Sequence, residues 1–232
     1  MDEKGETNMT PRRVYEDKLQ ELNKNILEMG QKAEEFIDNT IQAIINHDDA
    51  LAKMIIDQDD IIDNMQIEIE KECALLIAHQ QPVASDLRFV ISVVKIVTDI
   101  ERIADQCCDI CKYSIRLNDG SWSREINYKR HIEKMALAAK AMLSEVLNAF
   151  ISKDIDTMKK IYEADQKINS IFDKIWKEIT DEMIDNKEFI KNGVHYIMII
   201  KYLERIGDHI TNIAEWLLYS NTGEYKLHKT IE

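Results

Sequence analysis

Two segments of this 232-residue chain, separated by roughly a hundred residues, repeat the same pattern. The sequence reads Glu-Arg-Ile-Ala-Asp from Glu101 and Glu-Arg-Ile-Gly-Asp from Glu204. Earlier positions also correspond, for example Asp59 with Asp165, but at an offset that is larger by about three residues, which predicts a shorter loop in the second copy. Two copies of about ninety residues are each long enough for three helices.

The composition favours helices throughout. The chain has two prolines and six glycines, so few positions are suited to turns, and strong helix formers are abundant. We therefore predict an all-α fold of two tandem three-helix bundles, with six long antiparallel helices and an internal duplication. Pro82 is suited to the first turn of the third helix. The predicted helices span residues 12–46, 48–79, 82–117, 125–152, 155–185 and 190–219, and the two repeats span residues 12–117 and 125–220.

Acidic side chains line one face of each third helix, because a spacing of four residues keeps side chains on one side of an α-helix. Like charges in a row cost stability unless a cation lies against them, and hard cations bind several oxygen ligands. Further acids on the second helices fall near apolar seams, where a carboxylate needs a partner. We predict a metal site on the bundle surface, with Glu101, Asp105, Asp109, Glu204, Asp208, Asn212, Asp59, Asp63 and Asp165 as candidate ligands.

Two alternatives to the metal site follow from the same residues. Arg102 and Arg205 are candidate partners for the carboxylates of Asp59 and Asp165, in place of a metal ion. The second alternative is that the acids form a solvent-exposed face of an acidic protein and bind nothing. Their duplication at corresponding positions favours a binding site.

Several classes of function are disfavoured. The formal net charge of −13 argues against binding nucleic acid, whose phosphates the chain would repel. No His has a Glu three residues before it, as a di-iron bundle requires, and no catalytic motif is visible, so we predict that the chain is not an enzyme. The clustered thiols of Cys107, Cys108 and Cys111 fit small buried side chains. No uninterrupted apolar run is long enough to span a membrane, which favours a cytoplasmic protein.

The same residues resemble the PhoU family, which accompanies bacterial phosphate-specific transport. The resemblance rests on the duplicated Glu-Arg-Ile-(Gly/Ala)-Asp helix, the loop from Gln81 to Arg88, and the segment from Asn212 to Glu215. It extends over nearly the whole chain. It implies a cytoplasmic dimer of two three-helix bundles that represses the phosphate-starvation response when phosphate is plentiful.

The resemblance also implies partners and cofactors. The partners are the ATPase subunit (PstB-like) of the phosphate transporter and a sensor histidine kinase (PhoR-like), so membrane association would come only through them. Multinuclear metal clusters occur in the family, which implies divalent or trivalent ions such as iron, zinc, manganese or magnesium. Asn212 departs from a third acid and is a weaker ligand, and Ala104 replaces the usual glycine. We predict partner contacts at Asp86, Arg88, Arg102 and Arg205.

Two further functions compete with a phosphate-signalling adaptor. A metal-storage protein would use the same acidic helices to hold many ions per chain. A regulator of a different phosphate carrier would share the fold and differ in its partner.

Overall fold

The computed structural model describes residues 11–80, 82–117, 126–154 and 156–224, and the chain is helical over almost all of them. The all-α prediction is confirmed, and no strand occurs within those ranges. The helices are α1 (Pro11–Asn46), α2 (Asp49–Asp57), α3 (Asp59–Gln80), α4 (Ala84–Leu117), α5 (Ile126–Ser152), α6 (Thr157–Asp185) and α7 (Ile190–Thr222), with a 3-10 turn at Lys187–Phe189 before α7.

The second helix of the first copy is divided, which corrects the single helix predicted over residues 48–79. Asp48 caps the first part, because its Oδ1 accepts a hydrogen bond from the N–H of Leu51 at 2.9 Å. The break is at Gln58, whose φ of −95° and ψ of 3° depart from helical geometry. The next helix begins at once, with Asp59 and Asp60 in its first turn, where acidic side chains are favourable.

The third helix of the first copy begins later than predicted. Its first residue is Ala84, and Pro82 lies before the helix instead of in its first turn. The N–H of Leu87 donates to the carbonyl oxygen of Val83 at 2.9 Å and closes that turn. Within the second copy, α7 ends at Gly223, whose φ of 77° is the left-handed conformation that glycine adopts without strain.

Each copy forms a bundle, and the two bundles meet along their third helices. In the first copy α4 packs against α1, α2 and α3, and in the second copy α7 packs against α5 and α6. The most extensive contact in the molecule joins α4 to α7. The apolar seams predicted for these helices are buried, with Ile103 and Ile206 fully inaccessible to solvent. The acids beside the seams are therefore carried by the helices that join the two copies.

The helix α5 is the one described helix with the length and apolar composition of a membrane span, over Tyr128–Ser152. Half of that window is buried, and α5 packs against α1, α6 and α7. The core helix of a bundle has these same properties.

The cysteines are free and buried, as the interpretation of them as small core residues requires. Burial raises the pKa of Cys111 to about 11 and that of Cys73 to about 12. Thiols with such pKa values remain protonated at neutral pH, so they are poor nucleophiles and poor metal ligands.

Candidate metal and docking sites

Four carboxylates of the first copy come together between α3 and α4. Asp59 and Asp63 come from α3, and Glu101 and Asp105 come from α4. Burial raises the pKa of Glu101 to about 7, and the negative charges of Asp105, Asp63 and Asp59 add to the shift. Burial, and then repulsion by Asp105, also raises the pKa of Asp63. We call these four side chains the first acidic cluster.

Arg102 is the cation nearest to two members of the first acidic cluster. Its Nε lies 3.3 Å from Glu101 Oε2, and its Nη1 donates to Asp105 Oδ2 at 2.6 Å. Glu101 Oε2 is buried, yet no group in the described part of the chain donates a hydrogen bond to it. A buried carboxylate oxygen without a donor is favourable only beside positive charge. Arg102 supplies that positive charge without a hydrogen bond, so a bound cation would take its place or add to it at this oxygen.

Asp59 has a different partner from the one predicted. Cys108 Sγ lies 3.3 Å from Asp59 Oδ1 and donates to it, whereas Arg102 pairs with Glu101 and Asp105. A thiol is a weak donor, so it offsets little of the cost of burying a charge. Burial therefore raises the pKa of Asp59, and the hydrogen bond from Cys108 only partly opposes this shift.

Asp165, the counterpart of Asp59 in the second copy, lies inside the protein and not on its surface. Its side chain is 2% exposed, and Asn169 Nδ2 donates to its Oδ2 at 2.9 Å. Gly207 makes the approach of α7 to this carboxylate feasible, because a Cβ at position 207 would lie 2.9 Å from Asp165 Oδ1. Arg205 was one of the two candidate partners for Asp165, beside a metal ion; in the structure Asn169 donates to this carboxylate and Arg205 is exposed.

A lysine distinguishes the second copy from the first. Lys201 Nζ lies 2.5 Å from Glu204 Oε2 and 5.5 Å from the centre of the Phe172 ring, so a carboxylate and an aromatic face both hold the ammonium. The corresponding residue of the first copy is Thr98. Asn169 likewise replaces an acid, because its counterpart is Asp63. The second group of acids, which includes the exposed Asp208, thus has fewer carboxylates and a cation of its own.

The last positions of the two acidic rows lie at the junction of the copies. Asp109 Oδ1 accepts from Lys112 at 2.8 Å. Tyr202 on α7 faces Asp109, and burial together with the negative charge of Asp109 raises the pKa of Tyr202. On the other side of the junction, Asn212 Nδ2 donates to Asp99 Oδ1 at 3.2 Å, and His209 Nδ1 lies 2.8 Å from the same oxygen.

Sequence reasoning missed this junction role. Asp99 and Tyr202 correspond in the duplication, and each receives a partner from the opposite copy. The alignment of the two copies places Asp99 opposite Tyr202, and this correspondence was the available signal. The interpretation of the rows as metal ligands assigned Asp109 and Asn212 another role.

The donor chemistry of the first acidic cluster suits hard cations. Oxygen ligands from carboxylates are preferred by magnesium, manganese and ferric iron. As the described side chains stand, no three His, Cys, Asp or Glu residues form a ready-made metal site. A bound ion would have to draw the carboxylates of α3 and α4 closer together.

The residues predicted for partner binding fall in two places. Asp86 and Arg88 line a cavity of about 450 Å³ at one end of the molecule, beside the start of α4. Arg102 and Arg205 are exposed, and they occupy corresponding positions on α4 and α7. The two arginines accompany the acids, while the first pair lies apart from them.

Comparison with known proteins identifies the family. The family model for the PhoU domain matches the chain twice, over residues 26–114 and 132–217, so that it accounts for most of the chain. The chain belongs to the PhoU family. The two matches agree with the duplication seen in the sequence and in the pair of bundles.

Curated relatives of this PhoU-family chain extend over nearly its whole length. A protein of Clostridium acetobutylicum is 37% identical over 214 residues, which cover 92% of this chain and 96% of the relative. One from Streptococcus pneumoniae serotype 4 is 35% identical over 92% of this chain and 97% of its own. Both relatives are named phosphate-specific transport system accessory protein PhoU homologues.

Solved structures support the same assignment. The crystal structure of the phosphate transport system regulatory protein PhoU from Streptococcus pneumoniae superposes with a TM-score of 0.85 at 33% identity, covering 92% of this chain and 99% of that chain. PhoU from Pseudomonas aeruginosa gives a TM-score of 0.84 at 31% identity, covering 90% and 100%. The prediction of PhoU membership is confirmed, and so is the fold.

Proposed function

We propose that this chain is a non-enzymatic regulator of phosphate uptake and phosphate-starvation signalling. It acts as an adaptor between a phosphate ABC transporter, through the PstB-like ATPase subunit, and a PhoR-like sensor histidine kinase, and it represses the starvation response when phosphate is plentiful. The observation that carries the proposal is the match of both copies to relatives named as accessory proteins of phosphate-specific transport. We further propose that the protein acts in the cytoplasm as a homodimer.

Charged residues on the outside of α4 and α7 support contact with partners. The side chain of Arg102 is 51% exposed although it pairs with two carboxylates, and Arg205 is exposed at the corresponding position. Interfaces are enriched in arginine, whose planar guanidinium binds carboxylates through two hydrogen bonds. We propose that Arg102 and Arg205 contact one partner, and that Asp86 and Arg88 contact a partner at the end of the molecule.

We propose that the first acidic cluster binds a divalent or trivalent metal ion such as iron, zinc, manganese or magnesium. The support is the convergence of Asp59, Asp63, Glu101 and Asp105, together with the buried Glu101 oxygen that receives no hydrogen bond within the described ranges. An ion there would neutralise the carboxylates and fix the spacing of α3 and α4. Because the contact of α4 with α7 is the most extensive between helices, a change in the spacing of α3 and α4 would alter the packing of both copies.

Signalling by such an adaptor requires that a partner bind its two states with different affinity. Metal occupancy at the first acidic cluster supplies two states of the surface, one strongly negative and one neutralised. A partner that contacts Arg102 meets a different charge in each state. The proposal thus joins the metal site to the docking site through one helix.

Gene deletion in the host tests the regulatory role. Loss of the chain is expected to give constitutive alkaline phosphatase in high phosphate, and the wild-type gene is expected to restore repression. Pull-down from phosphate-replete cells is expected to recover the transporter ATPase or the kinase. Normal repression in the deletion strain would contradict the proposal, and co-purification with a different phosphate carrier would favour the alternative regulator.

Two pairs of variants separate docking from metal binding. Arg102→Ala with Arg205→Ala is expected to lose repression without losing bound metal, because removal of Arg102 from Glu101 and Asp105 takes away a competing positive charge. Asp105→Ala with Asp208→Ala is expected to lose metal and repression together. If that second pair loses metal and still represses, the ion is incidental to signalling. Many irons per chain with ferroxidase turnover would instead indicate metal storage.

A further inference from the structure

The cavity of about 450 Å³ lies between the two copies at the end where α4 begins and α7 finishes. The start of α1 and the end of α5 complete its walls. It is apart from the acidic clusters, and it has both apolar and charged sides. Its lining residues are Leu19, Asn23, Leu27, Ser85, Asp86, Arg88, Phe89, Phe150, Ile151, Lys153, Leu217, Ser220 and Asn221.

The charges of the lining favour an anion, although the chain as a whole carries a formal charge of −13. Arg88 and Lys153 are cationic, and Asp86 is the one acidic residue of the lining. Arg88 Nε is buried, and no described group accepts a hydrogen bond from it. A buried guanidinium nitrogen without an acceptor is costly, so an oxyanion in the cavity would satisfy it.

The apolar side of the cavity suits an uncharged body attached to the anion. Phe89 and Phe150 pack together with ring centres 6.3 Å apart, and both line the cavity. Leu27 and Leu217 extend this wall, and Ile151 is 62% exposed at the end of α5. An apolar group placed there would be removed from water on one side, which stabilises binding in proportion to the area buried.

The duplication offers an internal comparison, because described residues of the other bundle differ at the corresponding place. Phe189 stands where the first copy has Asp86, and its ring stacks on Tyr128 and Tyr196 at 6.1 and 6.3 Å. Lys129, the counterpart of Asn23, donates its ammonium to the carbonyl oxygen of Ile45. Among the described residues, the second copy thus has a stacked ring and a bonded lysine where the first copy has Asp86 and Asn23.

We propose that this cavity binds a small amphipathic anion, in which a phosphate or carboxylate group is attached to an aromatic or aliphatic body. The anionic group pairs with Arg88 and Lys153, and the body lies against Phe89 and Phe150. The site lies apart from the first acidic cluster, and it shares Asp86 and Arg88 with the surface proposed above for partner contact. A ligand bound there would contact helices of both copies, so its concentration in the cell would influence how the two copies pack together.

A titration with phenyl phosphate tests the proposal, with inorganic phosphate and phenol as the two halves of the probe. Methyl NMR of the full chain follows Ile151 in the cavity wall and Ile45, its counterpart at the other end. Saturable shifts are expected at Ile151 but not at Ile45. Phenyl phosphate is expected to bind at least ten-fold more tightly than either half, because the charged and apolar walls act together.

Variants assign the charged side. Arg88→Met is expected to weaken phenyl phosphate binding at least ten-fold, while Lys191→Met, the matched change in the other copy, leaves it unchanged. If Arg88→Met fails to fold, Lys153→Met is used, with an expected loss of several-fold. Equal binding of inorganic phosphate and phenyl phosphate would overturn the amphipathic assignment. Absence of shifts at Ile151, or equal effects of Arg88→Met and Lys191→Met, would overturn the site.

Discussion

Asn212 and Asp99 join the two copies across the contact of α4 with α7, with Asn212 Nδ2 3.2 Å from Asp99 Oδ1. The duplication relates this pair to a second one, Tyr202 with Asp109, on the other side of the junction. The junction therefore has an approximate two-fold relation in which corresponding positions face each other, and the hydrogen bonds are those to Asp99. Asp99 makes a second contact across the junction, because His209 Nδ1 lies 2.8 Å from the same oxygen.

Asp99→Ala is expected to lower the free energy of unfolding by about 1 to 2 kcal/mol, because the partly buried His209 loses its hydrogen-bond partner and the exposed Asn212 loses its acceptor. Tyr202→Phe is the matched change on the other side, and it removes the hydroxyl that faces Asp109. Its expected cost is below about 0.5 kcal/mol, because no hydrogen bond joins that hydroxyl to Asp109. Urea unfolding measures both values. An equal or smaller loss for Asp99→Ala would show that the His209 contact adds no stability.

The free energy of unfolding of the metal-free protein is expected to fall as pH rises from about 4.5 to about 7. Over this range Glu101, whose pKa is raised to about 7, keeps its proton in the folded state and loses it in the unfolded state. Glu101→Gln is expected to reduce that fall by about 1 kcal/mol, after allowance for screening by solvent. Denaturation in the presence of a chelator, at several pH values, measures the effect.

Glu145→Gln, a change at an exposed position, is the control for the pH experiment. Its free energy of unfolding is expected to vary with pH as that of the wild type does. The raised pKa values of Asp59 and Asp63 act in the same direction as that of Glu101. The slope in Glu101→Gln is therefore reduced and not abolished. A slope identical to that of the wild type would show that Glu101 titrates as an ordinary surface acid.

The two copies are expected to differ in metal binding. Lys201 holds a positive charge against Glu204, so an added cation is disfavoured there, whereas the first acidic cluster has four carboxylates. Equilibrium dialysis with manganese is expected to give binding at the first copy alone. Asp63→Asn, which makes the first copy resemble the second, is expected to weaken that binding at least ten-fold.

Lys201→Thr introduces the residue of the first copy, and it is expected to create manganese binding in the second. Lys167→Thr removes an exposed charge from the neighbouring helix α6 and serves as the control. Two equivalent sites in the wild type, or no gain in Lys201→Thr, would contradict the role given to the ammonium.

Gly207→Ala is expected to lower the free energy of unfolding by about 1 kcal/mol, although alanine favours a helix by about that amount over glycine. The added Cβ would lie 2.9 Å from Asp165 Oδ1, and this carboxylate is buried and bonded to Asn169, so it cannot move freely. Thermal unfolding measures the change. In an Asp165→Ala background the obstruction is gone, so Gly207→Ala should then be neutral or stabilising; an equal loss in both backgrounds would exclude the contact as its cause.

Much of the fold was predictable, because helix spacing and duplication both leave a regular pattern. The apolar seams through Ile103 and Ile206 are buried as predicted. The break at Gln58 was not foreseen, since the pattern of apolar residues continues across it and the interruption lies in the backbone of one residue. The start of α4 at Ala84 depended in the same way on local hydrogen bonds that periodicity does not indicate.

The sequence predicted which acids share a helix face, and it did not predict the neighbour of each acid. Spacing brought the acids of α4 to one face, but the neighbour of each acid depends on how the helices cross. The partner of Asp59 proved to be the thiol of Cys108, a residue interpreted only as a core side chain. The cavity beside Arg88 is formed by helix ends from both copies. The periodicity of a single helix does not indicate which helix ends lie close together.

The ammonium of Lys201 is attached to the protein, so no chelator removes it and no change in metal supply alters it. The second copy therefore has a permanent positive charge beside Glu204 that no bound ion supplies. If the first acidic cluster binds metal as proposed, only the first copy changes its charge with metal supply, and the second copy is a constant internal standard.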